Sequence, residues 1–513
     1  MPGGQTLSCY RFAHILFQRY AYDHVDEVAR AHLHRLVAEA LEGLRVEGAT
    51  GAEVDAQDPA GPQQLARHWE AAGRFDKAAA CLLQAGNRAG QLSAYGEAVQ
   101  LLRQGLALVG RLPEGSERAQ LQKQLLIGLA RPLLPVQGWA SAERAQLAQQ
   151  ALDLERQGPA NEADLIGALY LDAEILSARG KFAEALDLAE LLLFLAQRSD
   201  TPAYVALGYY ARGWGRFFSG CLAESITDLR QALAIYDRPR HAPLLPWVDA
   251  DLGVGCLSIL ALALCYMGYA DQALSCSRQA LAQARELARP LVEAEALTFG
   301  GCGFHALRWE TQTVQEMAHR LIELAEQKDL PMFRPFALIH QSWAQALGGG
   351  DRPTIAQIRD GLAAWRAMGH RSGTPFLLGL LAEMLQHSGA WDEALSTAEE
   401  ALALAVETGA PHRPDLYRLK GELLTERPAP TGAGQPPDAD EAEACFHMAI
   451  NEARQIGAKL LELRATVSLA RLWAGQGKRA EAHRALAEIY GWFSEGFDTP
   501  DLQAAKALLD TLS

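Results

Sequence analysis

Three aromatic residues, Tyr210, Trp214 and Phe217, follow one another at steps of four and three in PAYVALGYYARGWGRFF. On a helix that spacing puts them on one face. Aromatic rings ringed by polar groups suit recognition of a peptide or small ligand. The alternative use of such rings is structural, because a helix with one Trp and several Tyr or Phe buries most of them. Either way the chemistry is recognition or packing, with no group activated for turnover.

Motifs for turnover are absent. There is no GxxxxGK[ST]; Gly180–Lys181 and Gly477–Lys478 lack the Gly-rich loop that would cradle phosphates. No GxGxxG follows a strand, and neither HExxH nor GxSxG occurs. His32 and His34 are two residues apart, about 200° around a helix, and cannot share a metal. Carboxylate pairs such as Glu399–Glu400 suit a solvated helix face. No catalytic residue, cofactor-binding residue or metal ligand is therefore assigned, and the chain is expected to be no enzyme. The net charge of −15 gives no footprint for nucleic acid, and Arg238–Arg240 is too short to change that. Eight cysteines, at 9, 81, 221, 256, 265, 276, 302 and 445, form no CxxC and read as buried thiols of a reducing compartment. No signal peptide is visible, and the most apolar stretch, 253–269, is too short and Gly-rich to span a membrane. A cytoplasmic protein is expected.

The elements that must position the aromatics announce themselves by repetition. A chain of 513 residues exceeds one compact core, which stops growing near roughly 250–300 residues. Helix formers dominate and β-branched runs are scarce. GKFAEA (Gly180–Ala185), GCLAES (Gly220–Ser225), GYADQA (Gly268–Ala273), GAWDEA (Gly389–Ala394) and GKRAEA (Gly477–Ala482) share one pattern. Seven residues before each Gly lies Ala173, Gly213, Ala261, Ala382 or Ala470; five after it lies Ala185, Ser225, Ala273, Ala394 or Ala482. Asp351, with Ala344 and Ala356, fits the same frame, and the copy at 308–313 is degenerate. Small residues belong there because two helices cross closely. The frame resembles the tetratricopeptide hairpin. The expected fold is all-α, a right-handed superhelix of tetratricopeptide-like hairpins with a small N-terminal winged-helix remnant. Roughly nine to ten hairpins should fill 63–495, with a Pro/Gly-rich loop at 427–440. A capping helix is expected at 497–513, capped by Thr499 or Asp498 with Pro500 in its first turn. Residues 1–45 read as a winged-helix-like remnant or N-terminal cap.

In hairpins of that type the first helices line a concave face. The register then points Tyr210, Trp214 and Phe217 inward, flanked by Tyr170 and Glu174, Thr298 and His305, Gln341 and Gln345, and Glu383 and Gln386.

A more specific resemblance covers nearly the whole chain. YRFAHILFQRYAYDHV…LHRLVAEAL resembles the end of the winged-helix segment of large bacterial signalling ATPases. QLARHWEAAGRFDKAAACLLQAGNRAG is similar to the first hairpins of their sensor region, and YGWFSEGFDTPDL to their tail. Members of this group carry AAA-type ATPase domains joined to adenylate or guanylate cyclase or transcription-activator domains. The solenoid of the maltose-regulon transcription activator is similar. The resemblance implies a non-catalytic scaffold or sensor in bacterial signalling or transcription regulation. It would bind a protein segment or small effector, with an ATPase or cyclase chain as a possible partner and neither nucleic acid nor membrane. The alternative it implies is the C-terminal regulatory part of a truncated or split ATP-binding cyclase or transcriptional regulator, because no Walker motif or cyclase aspartate pair is found here.

Overall fold

Small residues where helices cross, and left-handed residues where they turn, organise the computed structural model. It describes residues 19–20, 22–47, 61–157, 161–245, 248, 251–348, 355–428 and 439–513. Every regular element among them is helical. The chain divides into two units, Met1–Leu129 and Ala130–Ser513.

The first unit holds α1 (Glu27–Glu47), α2 (Pro62–Ala71), α3 (Phe75–Gln91), α4 (Tyr95–Val109) and the start of α5 (Ser116–Gln137). Gly73 (φ +74°) and Ser93 (φ 62°) make the turns between α2, α3 and α4. A Cβ on Gly86 would lie 2.5 Å from Leu102 Cγ, so α3 and α4 approach through a missing side chain. Polar contacts tie α1 to its neighbours. Trp69 Nε1 donates to Glu42 at 2.9 Å, Lys77 donates to the same carboxylate at 3.1 Å, and the His34 and His68 rings meet at 2.8 Å. His34 thus pairs with another helix rather than with His32. The apolar residues Val28, Leu33, Leu36 and Val37 of α1 are exposed. Residues 1–18 and 21 of the expected winged-helix remnant, including the aromatics at 10, 12 and 17, lie outside the described residues.

The second unit runs from the end of α5 through α6 (Ala142–Gln157), α7 (Glu162–Ala178), α8 (Phe182–Arg198), α9 (Pro202–Phe218), α10 (Leu222–Ile235), α11 (Leu252–Tyr266), α12 (Ala270–Leu287) and α13 (Pro290–Ala296). It continues through α14 (Thr311–Gln327), α15 (Phe333–Leu347), α16 (Ile355–Ala367), α17 (Thr374–His387), α18 (Trp391–Thr408), α19 (Arg413–Glu426), α20 (Ala439–Gln455), α21 (Lys459–Gly475), α22 (Arg479–Tyr490) and α23 (Pro500–Leu512). Successive helices pair as hairpins in chain order, a tetratricopeptide-like helical solenoid. At Gly180, Gly220, Gly268, Gly389 and Gly477 φ lies between +75° and +90°. The next amide reaches back five residues in each, as in Lys181 to Leu176 and Ala390 to Leu385, the Schellman closure that ends a helix and reverses the chain. The degenerate copy keeps this geometry: Trp309 stands at φ 60° and Glu310 N–H bonds His305 O. The paired small residues are buried at all five glycine turns. Asp351 lies outside the described residues. In its frame Ala344 is buried, but Ala356 is exposed in the first turn of α16. The close approach there falls at Gly361, where a Cβ would sit 2.8 Å from Ile339 Cγ1. Thr499 occupies the N-cap of α23, yet its hydroxyl donates backward to Gly496 O at 2.7 Å instead of capping a helix amide. Most cysteines are buried free thiols, whereas Cys221 is exposed at a hairpin turn.

Distant hairpins of this unit also touch. Ala178 O accepts amides from Arg371 and Ser372, and Met332 N–H bonds Pro135 O. Glu495 Oε1 accepts the Asp271 and Gln272 amides at the N-terminus of α12. A Cβ on Gly268 would fall 2.8 Å from Trp492 and 2.9 Å from Phe493. The turns of α7–α12 are thereby seated against helix ends of α17–α22.

A ladder of rings runs through the same unit. Trp365 stacks on His370 at 4.0 Å and Phe336 on His340 at 4.1 Å, and Phe376 lies between His340 and His412. Burial holds all three histidines neutral, pushing His340 and His412 down to about 4 and His370 to about 3, the last helped by Arg144.

Two outcomes follow from these contacts. The unfolded chain takes up protons on these histidines below pH 6.5 while the folded one does not, so stability is full above that pH and falls as pH drops toward 4. Glu383, raised by burial to about 7, works in the opposite sense but is one group against three. Urea titrations should show His370→Phe reducing the acid slope by about 1.4 kcal/mol per pH unit; an unchanged slope contradicts a buried neutral His370. The second concerns two glycine turns. Gly268→Ala and Gly477→Ala share the left-handed strain of about 1–2 kcal/mol, but only Gly268 faces a neighbour within 4 Å. Gly268→Ala should therefore cost at least about 1 kcal/mol more, read from urea midpoints at constant slope; equal losses would show that the contact with Trp492 and Phe493 contributes nothing.

Candidate ligand-binding groove

Five successive segments of the second unit converge on one pocket. Tyr170, Ala173, Glu174 and Ser177 come from α7, and Tyr210, Ala211 and Trp214 from α9. Val254, Gly255 and Ser258 come from α11, Glu295 and Phe299 from α13 and the turn after it, and Trp139 from the link between α5 and α6. Together they line a groove whose free space, open solvent included, is about 550 Å³. Each wall has a local cause. Gly255 lets the Tyr210 ring lie on α11, since a Cβ there would be 2.6 Å from the Tyr210 oxygen. After Ala296 the helix widens into π-helical turns over Leu297–Gly303, in the Gly-rich run LTFGGCG. Such turns recur at functional sites.

The rings stand at angles to one another. Tyr210 and Trp214 are 6.0 Å apart at 63°, Trp214 and Phe299 5.1 Å at 84°, and Trp139 and Phe299 5.9 Å at 53°. Glu174 accepts from the buried Arg144 at 2.7 Å and from the Tyr170 hydroxyl at 3.4 Å. Arg144 itself is anchored by the Ala130 and Trp139 carbonyls. Burial, then Glu295, keeps the Tyr210 hydroxyl protonated far beyond the usual phenol range.

The structure thus brings together Tyr170, Glu174, Tyr210 and Trp214 and sends the other candidates elsewhere. Phe217 is buried against Phe218 and Tyr266, in the core rather than the groove. The buried Thr298 hydroxyl bonds Ala294 O at 2.7 Å; the π turns rotate the register so that Phe299 lines the pocket in its place. The His305 ring is held by Glu310 and Phe304. Gln341 and Gln345 are half-buried on α15, away from the pocket lining. Gln386 bonds Glu426 on an exposed edge. Glu383 joins a separate buried ion cluster: it accepts from Trp343 at 2.8 Å and lies 3.9 Å from Arg418. Arg418 is held by Asp415 and Glu422. Nearby Arg464 is held bidentately by Asp501 and also donates to the Leu307 carbonyl. Sequence reasoning missed Trp139, Glu295 and Phe299. Among the described residues no group of His, Cys, Asp or Glu is arranged to hold a metal, and no helix is long and apolar enough to cross a membrane.

No family model matches the chain. It is 25% identical over 479 residues to an uncharacterized protein of Rhizobium meliloti (strain 1021), a match covering 91% of this chain and 43% of that protein. The chain therefore spans less than half the length of the curated relative it matches. Among solved structures, a Rap protein complexed with competence and sporulation factor is similar over 79% of this chain and 99% of its own, at 14% identity and a TM-score of 0.47. A signal transduction ATPase with numerous domains and a tetratricopeptide repeat sensor, from Pyrococcus horikoshii, is similar over 93% of this chain and 74% of its own, at 11% identity and a TM-score of 0.33.

Proposed function

We propose that the chain is a non-catalytic scaffold or sensor that binds a protein segment or small effector in the groove of its second unit, in bacterial signalling or transcription regulation. One observation supports this most: Tyr170, Glu174, Tyr210 and Trp214, from consecutive first helices, share a pocket with Trp139 and Phe299. Aromatic walls with few fixed polar groups give affinity through burial and specificity through the polar positions. Signal passage follows from stacking. Each hairpin touches its neighbours, so a guest that favours one arrangement of α7, α9, α11 and α13 shifts the population of the whole row.

A second reading is favoured by the relative more than twice as long as the region matched and by the resemblance of YGWFSEGFDTPDL to the tails of signalling ATPases. The chain would then act as the C-terminal regulatory part of an ATP-binding cyclase or transcriptional regulator, its output made by a partner ATPase or cyclase. The groove serves the same purpose in both readings.

Screening the full chain against arrays of peptides and small metabolites tests the groove. Ligands should be recovered whose affinity drops about tenfold or more in Trp214→Ala and also in Gly255→Ala, which would push Tyr210 into the pocket while circular dichroism stays unchanged. Ligands bound equally by wild type and both variants would show that this pocket is not the binding site.

A further inference from the structure

A second groove of the same unit is lined by Trp309, by Arg418 and Glu422 of α19, by Arg464, Ser468 and Arg471 of α21 and by Asp501 of α23. Leu463, Val467 and Ala504 add apolar lining, and the free space, open solvent included, is about 770 Å³. It shares no residue with the groove around Trp214.

One of its walls is a residue that the turn itself would not select. Glycine makes the corresponding turn at Gly180, Gly220, Gly268, Gly389 and Gly477, whereas Trp309 stands there at φ 60°, a conformation a bulky side chain adopts only at a cost. Its half-buried indole lies 5.8 Å from the Trp343 ring and 5.7 Å from the Arg464 guanidinium. The strain is kept at the point where a ring meets both the groove and a cation.

The polar groups are unevenly matched. Asp501 accepts both hydrogen bonds of a bidentate pair from Arg464, and Glu422 accepts from Arg418 and from the Ser468 hydroxyl. Both carboxylates of the lining are engaged, yet donors are left over. Arg464 Nη1 lies 3.9 Å from Asp415, too far for a hydrogen bond. Arg471 is exposed and makes no hydrogen bond or ion pair with any described residue. A cation entering here would compete with Arg418 and Arg464 for their carboxylates and would face Arg471. A neutral guest would cover Arg471 without giving it a partner. A carboxylate supplies the missing acceptor, in the planar form that a guanidinium binds through two N–H groups. Behind the lining, Asp415 and Glu383 flank Arg418. The three guanidinium groups are thus already balanced by Asp415, Glu422 and Asp501, which favours one added negative charge over two.

We propose that this second groove binds a carboxylate carried on an apolar or aromatic body. Arg471 is its anchor, Arg464 Nη1 a second donor, and Trp309 the surface on which the body rests. The carboxylate belongs either to a free small acid or to an acidic side chain of a partner segment; the chemistry of recognition is shared. The inference does not rest on the groove around Trp214.

Calorimetry with the full chain tests it with phenylacetate, phenylacetamide, inorganic phosphate, a capped Phe–Glu–Phe peptide and its Phe–Gln–Phe counterpart. At least one acid should bind about tenfold or more tighter than its amide. Arg471→Gln should weaken that acid about tenfold and leave the urea midpoint of the protein unchanged. Trp309→Gly, which gives the turn its usual residue, should weaken acid and amide alike, and Trp214→Ala should change neither. Tighter binding of the peptide acid than of phenylacetate assigns the carboxylate to a partner segment; the reverse assigns it to a free acid. Equal binding of acid and amide, tighter binding of phosphate than of either acid, undiminished binding in Arg471→Gln, or no acid bound at millimolar concentration overturns the inference. An acid lost in Trp214→Ala but kept in Arg471→Gln overturns it too, and supports the first groove instead.

Discussion

Two helices reach a spacing of about 8–10 Å only where neither carries a large side chain at the crossing. That limit governs the second unit. At Ala173–Ala185, Gly213–Ser225, Ala261–Ala273, Ala382–Ala394 and Ala470–Ala482 the hairpin partners meet through small buried residues. Ser225 adds a hydrogen bond, its hydroxyl donating to the Gly213 carbonyl at 2.7 Å. With the crossings fixed, the direction of every first helix is fixed. The side chains of α7, α9, α11 and α13 then arrive in one pocket without any segment built for that purpose alone.

Contacts between distant hairpins turn a row of repeats into a body with fewer independent parts. A solenoid whose units touch only neighbours frays from its ends. Here Glu495 caps α12 and Arg464 reaches the Leu307 carbonyl, ties between residues far apart in sequence. The buried ions follow the same logic. Arg418 and Arg464 are costly to desolvate and are kept by paired carboxylates, Asp415, Glu422 and Asp501, so loss of one partner leaves an uncompensated buried charge. Such networks favour one arrangement of the helices over others.

Much of the helical order was readable because the hairpin turn demands a left-handed residue, and glycine supplies it at least cost. Where another residue takes that place the signal fades. Ser93 and Trp309 adopt φ near 60° and make the same hydrogen bonds, yet Ser93 does not look like a turn in sequence and Trp309 sits in a copy legible only as degenerate. GRFDKA at Gly73–Ala78 did carry the pattern and marks a further turn. The groove was half legible for a similar reason. A register counted in α-helical steps finds Tyr170, Glu174, Tyr210 and Trp214, but the π turns at Leu297–Gly303 shift it, so the count lands on buried Thr298 beside the pocket-lining Phe299. Trp139 lies between helices, where no helical period applies. Ala356 fits the frame by count and is nonetheless exposed, because α16 makes its close approach at Gly361.

That last contrast offers the most direct measurement. Ala382→Leu places an isobutyl group at a crossing where the small side chain is fully buried, and Ala356→Leu places the same group at a second-helix position of the frame that faces solvent. If small side chains at crossings hold the hairpins together, equilibrium unfolding in urea will show Ala382→Leu losing about 1–3 kcal/mol and Ala356→Leu changing by less than about 0.5 kcal/mol. Losses of the same size at both positions, or none at Ala382, would contradict the account.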